Sequence, residues 1–318
     1  MDNLVELTEK PEFDEIYLIA GWRQWADAGS ISSGLPEYLA DLTDAKKIGE
    51  IQSDPFYMFH LPATHYYLRP EIKFKDGFRE EFHDRENVFY FAECNGKGLL
   101  LFSGDEPHLY APRYANAFFD VYKELGVRRG VAVGGVYARP PFDRDRPISC
   151  SYSLQPMKEE LDKYALRYSN YEGGATIGSY FVDRAARQNL EFMVLNALVP
   201  SYEFSEQSSD FLLHDAEFQS QEPQGIRIEN DYRAWHDVMM RLNYMFGIGV
   251  DLSELSMHSQ ELTSAIESKL DDLNRKLPEL GIPKFLQEIN SDFEEMTFMP
   301  LDDMWAEELG DLFDDLDD

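Results

Sequence analysis

Four short stretches of the sequence hold the residue types that surface chemistry requires. The first, Gly21-Trp22-Arg23-Gln24-Trp25-Ala26-Asp27-Ala28-Gly29, reads as the turn between a buried strand, Glu15 to Ala20, and a helix starting at Ser30. Amides at such a helix start can hold an anion, and Trp22 and Trp25 can cover a flat ligand. Asp27 is equally suited to cap the helix, with the tryptophans filling core or interface. The second stretch, Asp105-Glu106, follows Gly104 and the apolar run Gly98 to Phe102. Paired carboxylates act as acid and base when their pKa values are pushed apart, and otherwise serve as turn and capping residues.

The third is the proline-rich loop with Arg139, Arg144 and Arg146, the one local basic cluster of the chain. Forked guanidinium groups suit phosphate or carboxylate, and they equally suit pairing with Asp143, Asp145, Asp105 or Glu106. The fourth, Glu172-Gly173-Gly174-Ala175-Thr176, imitates a phosphate loop but lacks the P-loop lysine and an acidic ribose partner at the dinucleotide spacing. HExxH, EF-hand, CxxC and GxSxG patterns are absent, and His60 and His65 stand close together without an obvious third ligand. No catalytic residue, metal ligand or cofactor follows from these patterns. What remains is a hypothetical ligand-binding rim of Trp22, Asp27, Gly104, Glu106, Arg144, Arg146, Glu172 and Gly173.

A rim of this kind needs strands that end together. The strand at Glu15 to Ala20, the run Gly98 to Phe102, Val131-Ala132-Val133 and Phe192 to Val199 are near-continuous apolar segments, as expected for strands covered on both faces. Helices from Ser30 to somewhere between Leu42 and Lys46, from Arg113 to Leu125 and from Thr176 to Ala186 alternate with them. This alternation predicts an α/β fold, a mostly parallel sheet flanked by helices. Lys47 to Ser53 is a further strand, and Asp76-Gly77 is a hairpin turn inside a β-rich excursion that Val88 to Phe91 continues.

The domain expectation is an α/β body at 1–206, a polar linker or mobile loop at 207–230, and a C-terminal helical extension at 231–290. In that extension Trp235, Val238, Met239, Leu242 and Met245 form one stripe, and Leu255, Ile266, Leu270 and Leu273 fall on a longer second helix. The pair is expected to pack on the body or on another subunit. Residues 291–318 are acidic, without Lys or Arg, yet carry Phe293, Phe298, Trp305 and Phe313. Such a tail is either a solvated end or a docking segment, in cis or on a protein partner.

With 60 acidic and 29 basic residues in 318, the net charge of −31 argues against nonspecific binding to nucleic acid or anionic membrane. Cys94 and Cys150 give no disulfide framework, Met1 to Pro11 has no signal-peptide core, and no run reaches bilayer length. A cytoplasmic protein is expected.

Taken in order, Gly21-Trp22 with Asp27-Ala28-Gly29, Gly104 with Glu106-Pro107, Gly134 with Arg146-Pro147, and Tyr171-Glu172-Gly173 make the chain resemble the bacterial branch of the proteasome assembly chaperone 2 family. The resemblance covers about Ile16 to Pro200, and Gly249-Val250-Asp251-Leu252 with Leu255 is similar to the extension of actinobacterial-type members. It implies an α/β fold like that of nucleoside phosphorylases, self-association, often as trimers, and no established catalysis. A non-enzymatic, homo-oligomeric, assembly-chaperone-like or protein-binding role follows as the expectation. The alternative is a small-ligand binder or an enzyme acting on a nucleoside, phosphate ester or carboxylate at the rim. The chain departs from the family pattern where Pro140-Pro141-Phe142-Asp143 replaces the usual His and Thr, and where Gly174 replaces a common proline. It ends Leu316-Asp317-Asp318, without the hydrophobic-Tyr-any tail by which some relatives dock.

Overall fold

The structure is a computed structural model that describes residues 4–59, 70–204, 225–296 and 298. The chain opens with β1 (Val5–Leu7) and β2 (Ile16–Arg23), crosses through α1 (Ile31–Leu42) to β3 (Lys46–Ile51), and forms the hairpin β4 (Glu71–Lys75) and β5 (Phe78–His83). Next come β6 (Asn87–Cys94), β7 (Lys97–Asp105), α2 (Ala111–Glu124) and β8 (Val127–Ala138). β9 (Ile148–Tyr152), the single turn α3 (Lys158–Leu161), β10 (Arg167–Tyr168), α4 (Ile177–Arg187) and β11 (Phe192–Glu203) follow. Last are β12 (Gly225–Arg227), α5 (Tyr232–Phe246), α6 (Ser253–Lys276) and α7 (Ile282–Asp292).

The main sheet has the order β1-β3-β6-β7-β2-β8-β11-β9-β10, with β12 on β11. Its centre, β7-β2-β8-β11, is parallel, and these are the four apolar runs of the sequence. The expectation of a mostly parallel sheet is corrected: β1, β3, β6, β9 and β12 join by antiparallel pairing, so the sheet is mixed. The reason lies partly at Asn95-Gly96, where both residues take positive φ and fold β6 back on β7. Asn-Gly is a strong two-residue hairpin signal. β6 thus belongs to the main sheet, and only β4 and β5 form the separate two-stranded excursion, turning at Asp76-Gly77 as expected.

β2 also runs past Ala20, because Gly21 and Trp22 continue its ladder against Ser103 and Gly104. Glycine is required at 21: a Cβ there would lie 1.9 Å from the Ser32 carbonyl oxygen, so α1 can cross close to the strand only without it.

Alternate residues of the central strands face opposite layers. Tyr17, Ile19, Val131, Val133 and Leu195 pack with α1, α5 and α6 through Leu35, Trp235, Leu242 and Leu255. Leu18, Ala20, Leu100, Phe102 and Val194 pack with α2 and α4 through Phe118, Phe119 and Phe181. The C-terminal helices therefore cover the chain's own sheet. Asp231 caps α5 by accepting from the Ala234 amide at 3.1 Å, and Gly247, at φ 63°, ends it in the left-handed conformation. Of the linker expected at 207–230, residues 207–224 lie outside the described residues, while 225–227 form β12. The tail beyond Phe298 likewise lies outside them. Phe298 itself is buried, its ring 5.8 Å from that of Tyr164 and 5.7 Å from that of Tyr244, so the start of the tail docks in cis.

Candidate functional site

Because β2, β7 and β8 run in parallel, Arg23, Asp105 and Ala138 end on one edge of the sheet, and the loops after them share a rim. The side chains expected there divide between that rim and the core.

Trp22 is core. It is fully buried among Phe102, Phe118 and Phe181, and its Nε1 donates to the Tyr114 hydroxyl at 3.0 Å. Tyr114 in turn donates to Asn87 Oδ1 at 2.7 Å, and the Tyr57 hydroxyl lies at the same distance from that oxygen. Gly104 leaves room for this network, since a Cβ there would lie 2.7 Å from Asn87 Oδ1. Burial pushes the Tyr57 and Tyr114 hydroxyls far above their ordinary pKa, so both stay neutral donors and neither serves as a base. Trp25 is the tryptophan that faces outward, 77% exposed.

Asp27 caps α1. Its Oδ1 accepts from the Ser32 and Ser33 amides at 2.8 and 2.9 Å, satisfying donors that helix geometry leaves unpaired. Burial raises its pKa against the opposing pull of those bonds.

Asp105 and Glu106 do not form an acid–base pair. Asp105 is buried and bound to Arg85 Nη1 at 2.6 Å. Glu106 lies near the backbone of Trp25, in the loop after β2, and of Ile177, the first residue of α4; burial raises its pKa against the pull of those amides. A carboxylate of the protein's own thus sits beside amides that an anionic ligand would use.

Arg146 is held inside the loop after β8. Its Nε lies 2.8 Å from Asp231 Oδ2, its Nη1 donates to the carbonyls of Pro141, Phe142 and Arg144, and its amide donates to Asp237 Oδ2 at 2.7 Å. Fully buried, it clasps the 139–147 loop to the start of α5. Arg144 is half exposed, 3.7 Å from Glu295. Glu172 and Gly173 lie on an exposed loop beside Tyr171, whose hydroxyl donates to the Gly174 carbonyl at 3.2 Å. Glu106, Arg146 and Glu172 therefore neither converge on an opening nor pair with each other.

Asn87, Tyr114, Asp231 and Asp237, which hold these groups, were not foreseeable as partners. Asp231 stands one residue before α5, but nothing in the sequence links it to Arg146. Cys150 is buried, which pushes its thiol up to about 12 and keeps it from acting as a thiolate. Among the described residues no group of three His, Cys, Asp or Glu side chains could hold a metal ion; His60 and His65 lie outside them. No helix there is long and apolar enough to cross a membrane.

Among solved structures, a protein of unknown function from Mycobacterium tuberculosis superposes with a TM-score of 0.69 at 16% identity, covering 92% of this chain and 93% of that one. A proteasome-assembly chaperone homologue from the same organism gives 0.64 at 19%, covering 79% and 94%. A proteasome activator from the archaeon Pyrococcus furiosus gives 0.56 at 16%, covering 84% and 98%. Such identities carry the fold alone. No curated protein matches the chain. The model of the PAC2 family matches residues 6–270, from β1 into the last turns of α6, and the chain belongs to that family.

Proposed function

We propose that this protein is a non-enzymatic, self-associating cytoplasmic protein that binds other proteins through its strand-end rim, in the manner of an assembly chaperone. One observation carries the reading: the rim carboxylates Asp27 and Asp105 are used internally, while three large aromatic side chains stand out from the rim loops. Asp27 takes the amides of Ser32 and Ser33 in α1, and Asp105 is closed on Arg85. Trp25, Tyr110 and Tyr171 stand 77%, 56% and 64% exposed on the loops around them. Aromatic side chains without ligand-ready polar groups suit a protein surface better than a small polar substrate. Two proteins of similar fold, an assembly-chaperone homologue and a proteasome activator, point the same way.

The test is the mass in solution of the wild-type chain and of a Trp25→Ser/Tyr171→Ser variant, by light scattering. Both positions are exposed, so the variant is expected to fold with stability within about 0.5 kcal/mol of wild type. A wild-type oligomer that the variant loses supports the reading; a wild-type monomer overturns its self-associating part. A thermal-shift screen with nucleosides and phosphate esters runs beside it. On a fold that the family resemblance relates to nucleoside phosphorylases, a ligand at a hundred times its Kd stabilises by about 2.7 kcal/mol. Such a shift, lost in Glu172→Ala, would replace this reading with the ligand-binding one.

A further inference from the structure

The groove between α7 and the ends of β8 and β11 lies apart from the rim aromatics and has no part in the reading above. It encloses about 450 Å³, within the size range of small-ligand sites. Leu198, Phe285, Ile289 and Phe293 line it with apolar surface, and the buried Pro140 and Pro147 contribute rigid wall. Two guanidinium groups enter from the sheet side. Arg139, the first residue after β8, is exposed and has no hydrogen-bond or ion-pair partner among the described residues. Arg167, in β10, contacts the Glu294 carbonyl at 2.6 Å and the Met296 sulfur at 3.4 Å, both uncharged.

Two buried arginines differ in holding carboxylates: Arg129 bridges Glu160 and Glu191 at 2.8 and 2.7 Å, and Arg146 is closed on Asp231. A chain with 60 acidic residues thus leaves two cations without a carboxylate contact among the described residues where this groove opens. Carboxylates line the groove as well: Glu288, 3.6 Å from Lys284, with Asp292 and Glu294 around the end of α7.

We propose that this groove binds an apolar group carrying a single carboxylate, with the carboxylate against Arg139 and Arg167 and the apolar body against Phe285, Ile289 and Leu198. A guanidinium fork matches the planar carboxylate. The acidic α7 wall repels a second negative charge, which selects against phosphate esters and dicarboxylates. The same chemistry is offered by a free aromatic or aliphatic acid and by the C-terminus of a peptide that ends in an apolar residue.

The experiment titrates the full chain by calorimetry with 3-phenylpropanoate, its amide, phenyl phosphate, and the peptide acetyl-Ala-Leu-Phe as free acid and as C-terminal amide. At least one free acid is expected to bind saturably, with its amide and phenyl phosphate weaker by about tenfold or more. Arg139→Gln, at an exposed position, is expected to keep the fold and remove the preference for acid over amide. Tighter binding of the peptide acid identifies a chain terminus as the natural source, and tighter binding of 3-phenylpropanoate identifies a free acid. The proposal is overturned if neither acid binds at millimolar concentration, or if Arg139→Gln binds as wild type does. Either failure leaves the rim reading intact, because that reading is tested at Trp25 and Tyr171.

Discussion

Arg146 Nε and Asp231 Oδ2 meet at 2.8 Å across 85 residues of sequence, and both side chains are completely shielded from water. The same carboxylate caps α5, and the same guanidinium gathers three carbonyls of the loop after β8. A single pair thus fixes the rim loop to the helical layer that covers the sheet.

Arg146→Ala leaves Asp231 buried without its partner. The expected loss is about 3–5 kcal/mol, because an unpaired buried charge is not resolvated. Arg144→Ala, at an exposed position, is expected to change stability by no more than about 0.5 kcal/mol. Urea unfolding of the two variants checks this, and similar midpoints for both would refute the clasp.

Burial raises the pKa of Glu106 in the folded state. The folded protein then holds this proton more tightly than the unfolded chain, so stability falls as pH rises. The loss begins near the ordinary glutamate value of about 4.3 and is complete above the raised folded value. Measured against Glu106→Gln, which cannot titrate, wild type is expected to lose relative stability over that window and then run parallel to it. A difference that is flat with pH would mean that the carboxylate is not strained by burial.

Gly135 admits the backbone of the rim loop. A Cβ there would lie 1.9 Å from the Ala28 carbonyl oxygen, a main-chain atom that cannot swing aside. Gly135→Ala is expected to cost about 1–3 kcal/mol or more by overpacking. At Gly174 nothing lies within 4 Å, and Gly174→Ala should be close to neutral. Thermal unfolding separates the two, and equal melting temperatures would count against the close approach.

Tyr114→Phe removes the acceptor of the Trp22 indole N–H while keeping the ring. A buried donor left unpaired costs about 1–3 kcal/mol. The indole proton of Trp22 should also exchange faster with solvent, as read by NMR. An unchanged exchange rate would show that the tyrosine hydroxyl is not what protects it.

The central strands were legible because strands covered on both faces must be apolar throughout, and Gly98 to Phe102 or Phe192 to Val199 fit little else. The buried face of α5 was legible as well, since its stripe from Trp235 to Met245 has the helical period. β9 and β10 were missed: Ile148–Tyr152 is a short run mixing Ser and Tyr with apolar residues, and it is a strand because β11 offers it an edge. The Asn95-Gly96 pair is a hairpin signal, yet β6 was expected in the excursion, and it is the pairing with β7 that places it in the main sheet.

The sequence by itself determined which segments are buried and what they are made of, because hydrophobic periodicity and turn chemistry act within a few residues. It determined the acidity and the family as well, and it carries no HExxH, CxxC or GxSxG motif. Only the tertiary structure decided what the polar residues do. Trp22 and Trp25 are alike on paper, yet one lies in the aromatic core and the other in water, since strand β2 extends past Gly21. Arg146 reads as a ligand-binding arginine until Asp231 meets it, and Arg139, beside it in the same loop, is the one left without a carboxylate. Long-range partners of a charge are set by how layers pack, and local sequence holds no record of that packing.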